Sequence, residues 1–330
     1  MAKKEYEIGM IGLGVMGRNL VLNIADHGFS VAGYDKDLDK VNILQQDAGD
    51  RPIQGAKSME EFIGLLKKPR AVMMLVPAGA PVDSVINDVL PHLEKGDLII
   101  DGGNSHYIDT DRRAKAMDEK GFAYLGVGIS GGESGARHGP SMMPGGHEKA
   151  YQRVHKIFEA AAAHVNGDPC VVYLGPGSAG HYVKMVHNGI EYGIMQLISE
   201  TYDLMKRGFG FDEQKLHEIY AKWNQHELNG YLMEITAAIF EKKDEKTGKF
   251  LVDMILDEAK QKGTGMWTSQ DAMDLQIPVL TIDAAVGMRN MSAEKGLRES
   301  AEKSLSGPQI SSENDPETFM EHLRKALYMA

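Results

Sequence analysis

The chain has 330 residues, a length that suggests about two domains and sizeable cores without help from disulfides or metals. Asp plus Glu outnumber Lys plus Arg by 47 to 36, a formal net charge of −11, which argues against a nucleic-acid or anionic-membrane partner but leaves room for a local basic pocket. The single cysteine, Cys170, excludes an intrachain disulfide and a cysteine-based metal site, and it fits a reducing, cytoplasmic setting.

The basic start Met1-Ala2-Lys3-Lys4 is interrupted by Glu5 and Glu7 before any apolar stretch, unlike a signal peptide. Tyr6–Ile11 is a short apolar strand, followed by a glycine turn and an amphipathic run to His27, with Gly28 where a helix stop belongs. Ser30–Tyr34, Ala71–Val76, Leu98–Ile100, Phe122–Val127 and Val171–Leu174 read as further strands. Strands alternating with helices predict an α/β domain with a parallel sheet covered on both faces. After Gly175-Pro176-Gly177 the pattern turns helical. Ser178–Arg207 is long and proline-free, Phe211–Trp223 is amphipathic, and Asp315-Pro316 caps and opens Phe319–Tyr328. These changes place a boundary near residue 177, between a dinucleotide-binding domain over 1–177 and an all-helical domain over 178–330. The longest uncharged stretches, such as Ala71–Val82, fall far short of the ~20 residues of a spanning helix.

Gly12-Leu13-Gly14-Val15-Met16-Gly17 is a G-x-G-x-x-G fingerprint between a predicted strand and a predicted helix, with Asp35 at the end of the next strand. That context points to a Rossmann-like, doubly wound domain. The first glycine permits the tight turn, the second lets a pyrophosphate approach, and the third lets helix and sheet pack. Asp35 suits the ribose hydroxyls of NAD, whereas the adjacent Lys36 suits the 2′-phosphate of NADP; the balance leans to NAD.

Lys184, Asn188 and Glu191 fall at i, i+4 and i+7 on one predicted helix face, with His187 beside them and Val183, Val186, Ile190 and Ile194 as apolar packing. An enclosed chemical face and a solvated charged face are equally compatible with that spacing. Two glycine-rich loops add candidates. Gly128-Ile129-Ser130-Gly131-Gly132 follows a strand and offers backbone N–H groups to a carboxylate. Gln261-Lys262-Gly263-Thr264-Gly265-Met266-Trp267 places a cation and a hydroxyl between flexible residues, without the spacing of a nucleotide-triphosphate loop. The 12 histidines show no metal-ligand spacing, and Ser130 lies in no nucleophile elbow. Met142-Met143 reads as packing.

Together these segments resemble the decarboxylating 6-phosphogluconate dehydrogenase family of the β-hydroxyacid dehydrogenases. The likeness runs through Gly12–Gly17, Ile100-Asp101-Gly102-Gly103-Asn104-Ser105, Ser130–Glu133, Gly139–Ser141 and Met143–Gly146. It continues through His181–Tyr192 and Lys262–Trp267. The resemblance implies oxidation and decarboxylation of 6-phosphogluconate to ribulose 5-phosphate with NADP or NAD, in the pentose phosphate pathway, by a cytoplasmic homodimer without a metal. It implies that Lys184 is the general base at the 3-hydroxyl and Glu191 the general acid at C1. Asn104, Ser130, Gly131, Gly132, His187 and Asn188 would hold the substrate, with Tyr192, Lys262, Thr264 and Arg289 around its phosphate. Gly12, Gly14, Val15, Met16, Gly17, Asp35, Lys36, Val76 and Asn104 would hold the dinucleotide. A lysine serves as base only where its pKa is lowered, which burial can do.

The chain departs from that family at several points. Pro77 stands where many long-form members have lysine, Lys260 replaces a small residue, and Asp35-Lys36 replaces a neutral residue and arginine. The long form continues past the position of Ala330, with a tail that brings an arginine and a histidine to the partner's phosphate site; the expectation is an incomplete helical domain with exposed apolar surface. Two other readings stand beside this one. The chain would be a related β-hydroxyacid dehydrogenase for an unphosphorylated acid, or a non-catalytic dinucleotide-binding protein.

Overall fold

The computed structural model describes residues 5–306 and 315–330, so the basic start at Met1–Lys4 lies outside the described residues. Two compact units adjoin in the chain between Val186 and His187.

The first unit is built on a seven-stranded sheet: β1 (Ile8–Ile11), β2 (Val31–Tyr34), β3 (Ile53–Gly55), β4 (Ala71–Met74), β5 (Leu98–Asp101), β6 (Ala123–Ser130) and β7 (Ser141–Gly146). The order is β3-β2-β1-β4-β5-β6-β7, parallel except for β7, which runs antiparallel to β6. Its helices are α1 (Val15–Asp26), α2 (Leu38–Ala48), α3 (Met59–Leu65), α4 (Ala80–Val89), α5 (Tyr107–Glu119), α6 (Gly132–His138), α7 (Glu148–Tyr151) and α8 (His155–Ala161). The apolar strands read as continuous runs because both sheet faces are covered. Alternate residues divide between two cores. Ile8, Met10, Met73, Leu98 and Ile100 pack with α1 and α8 through Leu20, Ile24 and Phe158. Ile11, Val72, Met74 and Ile99 face α3 and α4 through Phe62, Val82 and Ile86. Side-chain caps start α2 and α3: Asp37 accepts from the Asp39 N–H, and Ser58 from the Glu61 N–H.

The helix α9 (Ala179–Asp203) follows, and the second unit continues with α10 (Glu213–Trp223), α11 (Tyr231–Glu241), α12 (Thr264–Asp274), α13 (Leu280–Ala293), α14 (Lys295–Ser304) and α15 (Pro316–Met329). Its core gathers Ile198, Leu216, Tyr220, Trp223, Met233, Phe240 and Leu323, with Tyr220 stacked on Phe240 at 5.6 Å between ring centroids. The expected cap of the last helix is present, Asp315 accepting from the Thr318 N–H. Among the described residues no helix is long and apolar enough to cross a membrane.

Several expectations are corrected. Val171–Leu174 is not a strand: Val171 makes a single bridge to Met142, and Val172 stands exposed. The sheet edge is taken instead by β7, whose Met-Met-Pro-Gly-Gly sequence carries little strand signal but pairs fully with β6. That pairing extends β6 through Ser130, so Gly128–Ser130 is strand and only Gly131-Gly132 forms the turn. Along α9, Val183, Ile190 and Ile194 are exposed rather than packed.

Candidate functional site

The reversal of strand order between β1 and β4 opens a crevice at the carboxyl ends of the strands, where ligands bind in such sheets. The three fingerprint glycines meet three different constraints. Gly12 has φ +93°, and a Cβ there would stand 2.4 Å from the Leu75 carbonyl oxygen; at Gly17 a Cβ would fall 1.9 Å from the Gly12 oxygen. At Gly14 nothing lies within 4 Å of that position, and this residue begins α1 without a side-chain cap. The amino end of α1 therefore presents open backbone N–H groups, with Val15 exposed on its first turn, which fits a pyrophosphate. Met16 packs back on the core.

Asp35 braces this turn from the next strand. One carboxylate oxygen accepts from the Leu13 N–H at 2.8 Å and the other from the Asp37 N–H at 2.9 Å. Lys36 pairs with Asp88 on α4 at 2.8 Å, and Lys40 lies 3.7 Å from Asp35. Val76, just past the end of β4, approaches Gly12, and a Cβ on Gly103 would meet the Val76 oxygen at 3.1 Å. The structure thus brings the predicted dinucleotide residues to one edge, with Asn104 exposed at the tip of the turn after β5.

The start of α9 is seated on β6 and β7 through glycines. A Cβ at Gly180 would stand 2.2 Å from the Met143 oxygen and 2.3 Å from the Gly126 oxygen; one at Gly145 would stand 2.2 Å from the Gly180 nitrogen. A Cβ at Gly128 would meet the Lys184 Cβ at 2.4 Å. Backbone against backbone, this contact sinks Lys184 to 6 % exposure. Ser130 ends β6 opposite Ser141, and Gly131 (φ +137°) and Gly132 (φ +58°) turn the chain into α6.

Beneath the turn after β5 lies a buried polar cluster that the sequence reading missed. Asp101 accepts from Ser105 Oγ at 2.6 Å, the Gly103 N–H at 3.0 Å and Tyr124 Oη at 3.2 Å. Arg113 grips Asp83 through two bonds of 2.9 and 2.8 Å and also reaches Ser105 and the Gly79 carbonyl. The Arg113 guanidinium, with Arg112, holds the Asp83 carboxyl down to about 2. His181 joins from α9 through Thr110, with Nδ1 2.7 Å from Oγ1. Thr110, Arg113 and Met117 line the buried stripe of α5. Two polar residues on such a stripe were the available signal.

In the second unit, His187 Nδ1 lies 3.4 Å from Glu191 and 3.3 Å from the Asn188 oxygen. Asn188 donates to Thr264 at 3.3 Å. The expected Gln261–Trp267 loop ends at Gly263 (φ +100°), which lets Thr264 open α12, so Thr264–Trp267 is helical. Tyr192 packs on Gly265, where a Cβ would come within 2.4 Å of the ring. Arg289 lies over the Tyr192 ring, its Cζ 3.8 Å from the centroid, and donates to the Lys260 carbonyl at 2.7 Å. Tyr192, Thr264 and Arg289 thus sit among near neighbours, while Lys262 is exposed just ahead of α12. Among the described residues, no cluster of His, Cys, Asp and Glu is placed to hold a metal.

A doubly wound domain with this glycine crevice, followed by a helical unit, has the architecture of a dinucleotide-binding oxidoreductase. Family models describe both parts: the NAD binding domain of 6-phosphogluconate dehydrogenase matches residues 7–175, and its C-terminal domain matches 180–330. The chain belongs to the 6-phosphogluconate dehydrogenase family, a family of oxidoreductases. It is 52 % identical over 328 residues to the NADP(+)-dependent, decarboxylating 6-phosphogluconate dehydrogenase of Bacillus subtilis, covering 99 % of this chain and 70 % of the relative. A decarboxylating 6-phosphogluconate dehydrogenase of Saccharomyces cerevisiae is 52 % identical, with 98 % and 66 % covered. The chain therefore spans about two thirds of the length of these relatives. The solved 6-phosphogluconate dehydrogenase of Plasmodium falciparum, studied with NADP+ and with 6-phosphogluconate, is 50 % identical with a TM-score of 0.92, over 97 % of this chain and 70 % of that one. A 3-hydroxyisobutyrate dehydrogenase from Salmonella typhimurium shares the fold at 20 % identity and a TM-score of 0.68.

Proposed function

We propose that the chain oxidises and decarboxylates 6-phospho-D-gluconate to D-ribulose 5-phosphate and CO2, in the cytoplasm and as a homodimer. The observation that carries the reading is one continuous helix, α9, with Lys184 and Glu191 two turns apart on one face. The bound dinucleotide supplies the hydride acceptor for C3. The open amino end of α1 holds its pyrophosphate, and Asp35, Lys36, Val76 and Asn104 border it. Lys184 takes the proton of the 3-hydroxyl, then, as an ammonium, polarises the new ketone while CO2 departs. Glu191 delivers a proton to C1 of the resulting enediol, with His187 at 3.4 Å to orient it. Asn104, Ser130, Gly131, Gly132, His187 and Asn188 orient the sugar acid. Tyr192, Lys262, Thr264 and Arg289 take the phosphate, aided by the amino end of α12. The dinucleotide-binding and helical domains divide near residue 177.

Relatives that are NADP-dependent favour NADP, and the engagement of both Asp35 oxygens by backbone N–H groups supports this, since the carboxylate is already occupied. Dimerisation is supported by the exposed Val183, Ile190, Ile194, Met288 and Met291. The test is reduction of NADP or NAD, followed by absorbance, with 6-phosphogluconate and capture of CO2. Turnover with CO2 release is expected, faster with NADP. A folded, dinucleotide-binding protein without turnover overturns the reading. Light scattering is expected to give twice the chain mass.

A further inference from the structure

Ahead of α12, residues 257–262 lie in neither helix nor strand, and among the described residues they make no backbone–backbone hydrogen bond. Side chains of α13 and α14 pair with this strap instead. The Asp257 carboxylate accepts from Lys295 at 2.6 Å and from Arg298 at 2.6 Å, and Arg298 also donates to the Asp257 carbonyl at 3.0 Å. The Ala259 N–H donates to Ser292 Oγ at 2.9 Å, the Lys260 carbonyl accepts from Arg289 at 2.7 Å, and Gln261 Nε2 donates to Asn290 at 2.5 Å. As the strap runs forward its partners run back, from α14 into α13. Lys262 follows directly and stands exposed, and Gly263 then turns the chain into α12.

We propose that Asn290, Ser292 and Arg298 are positioning residues that lace the strap to α13 and α14, so that Lys262 and Arg289 form one fixed pair of cations for the substrate phosphate. The proposal rests on the reading of both cations as phosphate ligands. A chain outside helix and sheet keeps a single shape only where its ordering entropy is offset and its N–H and C=O groups find partners. Here those partners are side chains, so the strap takes the shape that α13 and α14 dictate. Arg289 belongs to the lacing and to the site at once: it lies over Tyr192 while Nη1 donates to the Lys260 carbonyl, two residues before Lys262. A shift of the strap therefore disturbs both cations. Arg298 ties the far end, since it also donates to the Ser292 carbonyl at 2.9 Å. The Asp257 carboxylate is taken up by Lys295 and Arg298 rather than by Lys262 or Arg289, which leaves those two for an anion.

The test uses the full chain. Arg298→Met keeps the stem and removes all three contacts of the guanidinium, Asn290→Ala removes the Gln261 partner, and Ser292→Ala removes the acceptor of the Ala259 N–H. Weakening a charge-assisted grip on the phosphate raises the KM without touching the chemical step. Arg298→Met is therefore expected to raise the KM for 6-phosphogluconate about tenfold, and the Ki of inorganic phosphate as a competitive inhibitor by a similar factor. The kcat should stay within about threefold and the Kd for dinucleotide within about twofold. Asn290→Ala and Ser292→Ala are expected to raise the KM about threefold, and Ser292→Thr, which keeps the hydroxyl, to restore it. A wild-type KM in both Arg298→Met and Asn290→Ala, or a KM that rises only together with the dinucleotide Kd, overturns the proposal. Should Arg298→Met not fold, Asn290→Ala, at an exposed position, decides. Limited trypsin digestion gives a readout independent of turnover. Cleavage after Lys260 and Lys262 should be several-fold faster in Arg298→Met and Asn290→Ala than in wild type or Ser292→Thr; equal rates in all four overturn the proposal. An unchanged KM in Lys262→Met would refute the phosphate assignment itself, and faster cleavage in the variants would then leave the lacing standing without it.

Discussion

In the first unit the polar groups behind the glycine loops are closed in by the chain itself: Asp101, Arg113, His181 and Lys184 are all buried. In the second unit their counterparts stand partly in solvent, His187 at 35 % and Glu191 at 33 % exposure, and apolar residues of the same unit such as Ile190, Leu280 and Met291 are exposed. Backbone packing sets the position of a group in the first unit, so little is left for a ligand to adjust. Side chains set it in the second, so a ligand bound there would have contacts still to make.

The sharpest way to break this comparison is at Lys184. Lys184→Ala is expected to lower turnover by at least about a thousandfold while dinucleotide affinity, followed by fluorescence titration, stays within about twofold. Retained turnover would remove the base from the reading. Next comes the seat itself. Gly180→Ala places a methyl 2.2 Å from a carbonyl oxygen that cannot move aside, and is expected to cost about 1–3 kcal/mol in denaturant unfolding, with a larger fall in kcat than in dinucleotide binding. Gly14→Ala meets nothing within 4 Å, so it should leave the melting temperature in place and weaken only the dinucleotide.

On the open side, Arg289→Ala is expected to raise the KM for 6-phosphogluconate about 10- to 100-fold, as a lost charge-assisted contact of about 1.5–3 kcal/mol would, with little change in kcat or stability. A collapse of stability would show that the stacking on Tyr192 matters to the fold rather than to the ligand. The smallest effect concerns acid. Asp83, held down to about 2 from 3.8, contributes stability that is full above pH 3.8 and is lost as pH falls from there towards 2. In thermal melts across that window, Asp83→Asn should flatten the decline. The same steepness in both proteins would show that the Arg113 pair contributes nothing.

The alternating half of the fold was legible because strands buried on both faces leave uninterrupted apolar runs, as in Ala71–Met74 and Leu98–Ile100. The helix from Ser178 was legible from its unbroken periodicity, and the last helix from Asp315-Pro316. β7 was not, since Met142-Met143-Pro144-Gly145-Gly146 is chosen for close approach to Gly180 rather than for strand propensity. The same cause hid the extension of β6, where glycines read as a loop serve as the floor under Lys184. Within the site, the spacing of Lys184, Asn188 and Glu191 was readable, but the partners of Asp101 were not. Ser105, Arg113 and Tyr124 come from the turn after β5, from α5 and from β6, and only the folded chain brings their side chains to one carboxylate.

The glycine floor beneath α9 also bears on how such a chain can change over time. Contacts made by peptide groups are indifferent to which side chains surround them, so drift elsewhere in the first unit leaves the lysine where it is. By the same token no substitution at the floor can shift that lysine by a small increment, because every other residue is larger. Gradual change would come more readily past His187, where positions are set by side chains that can be exchanged one step at a time.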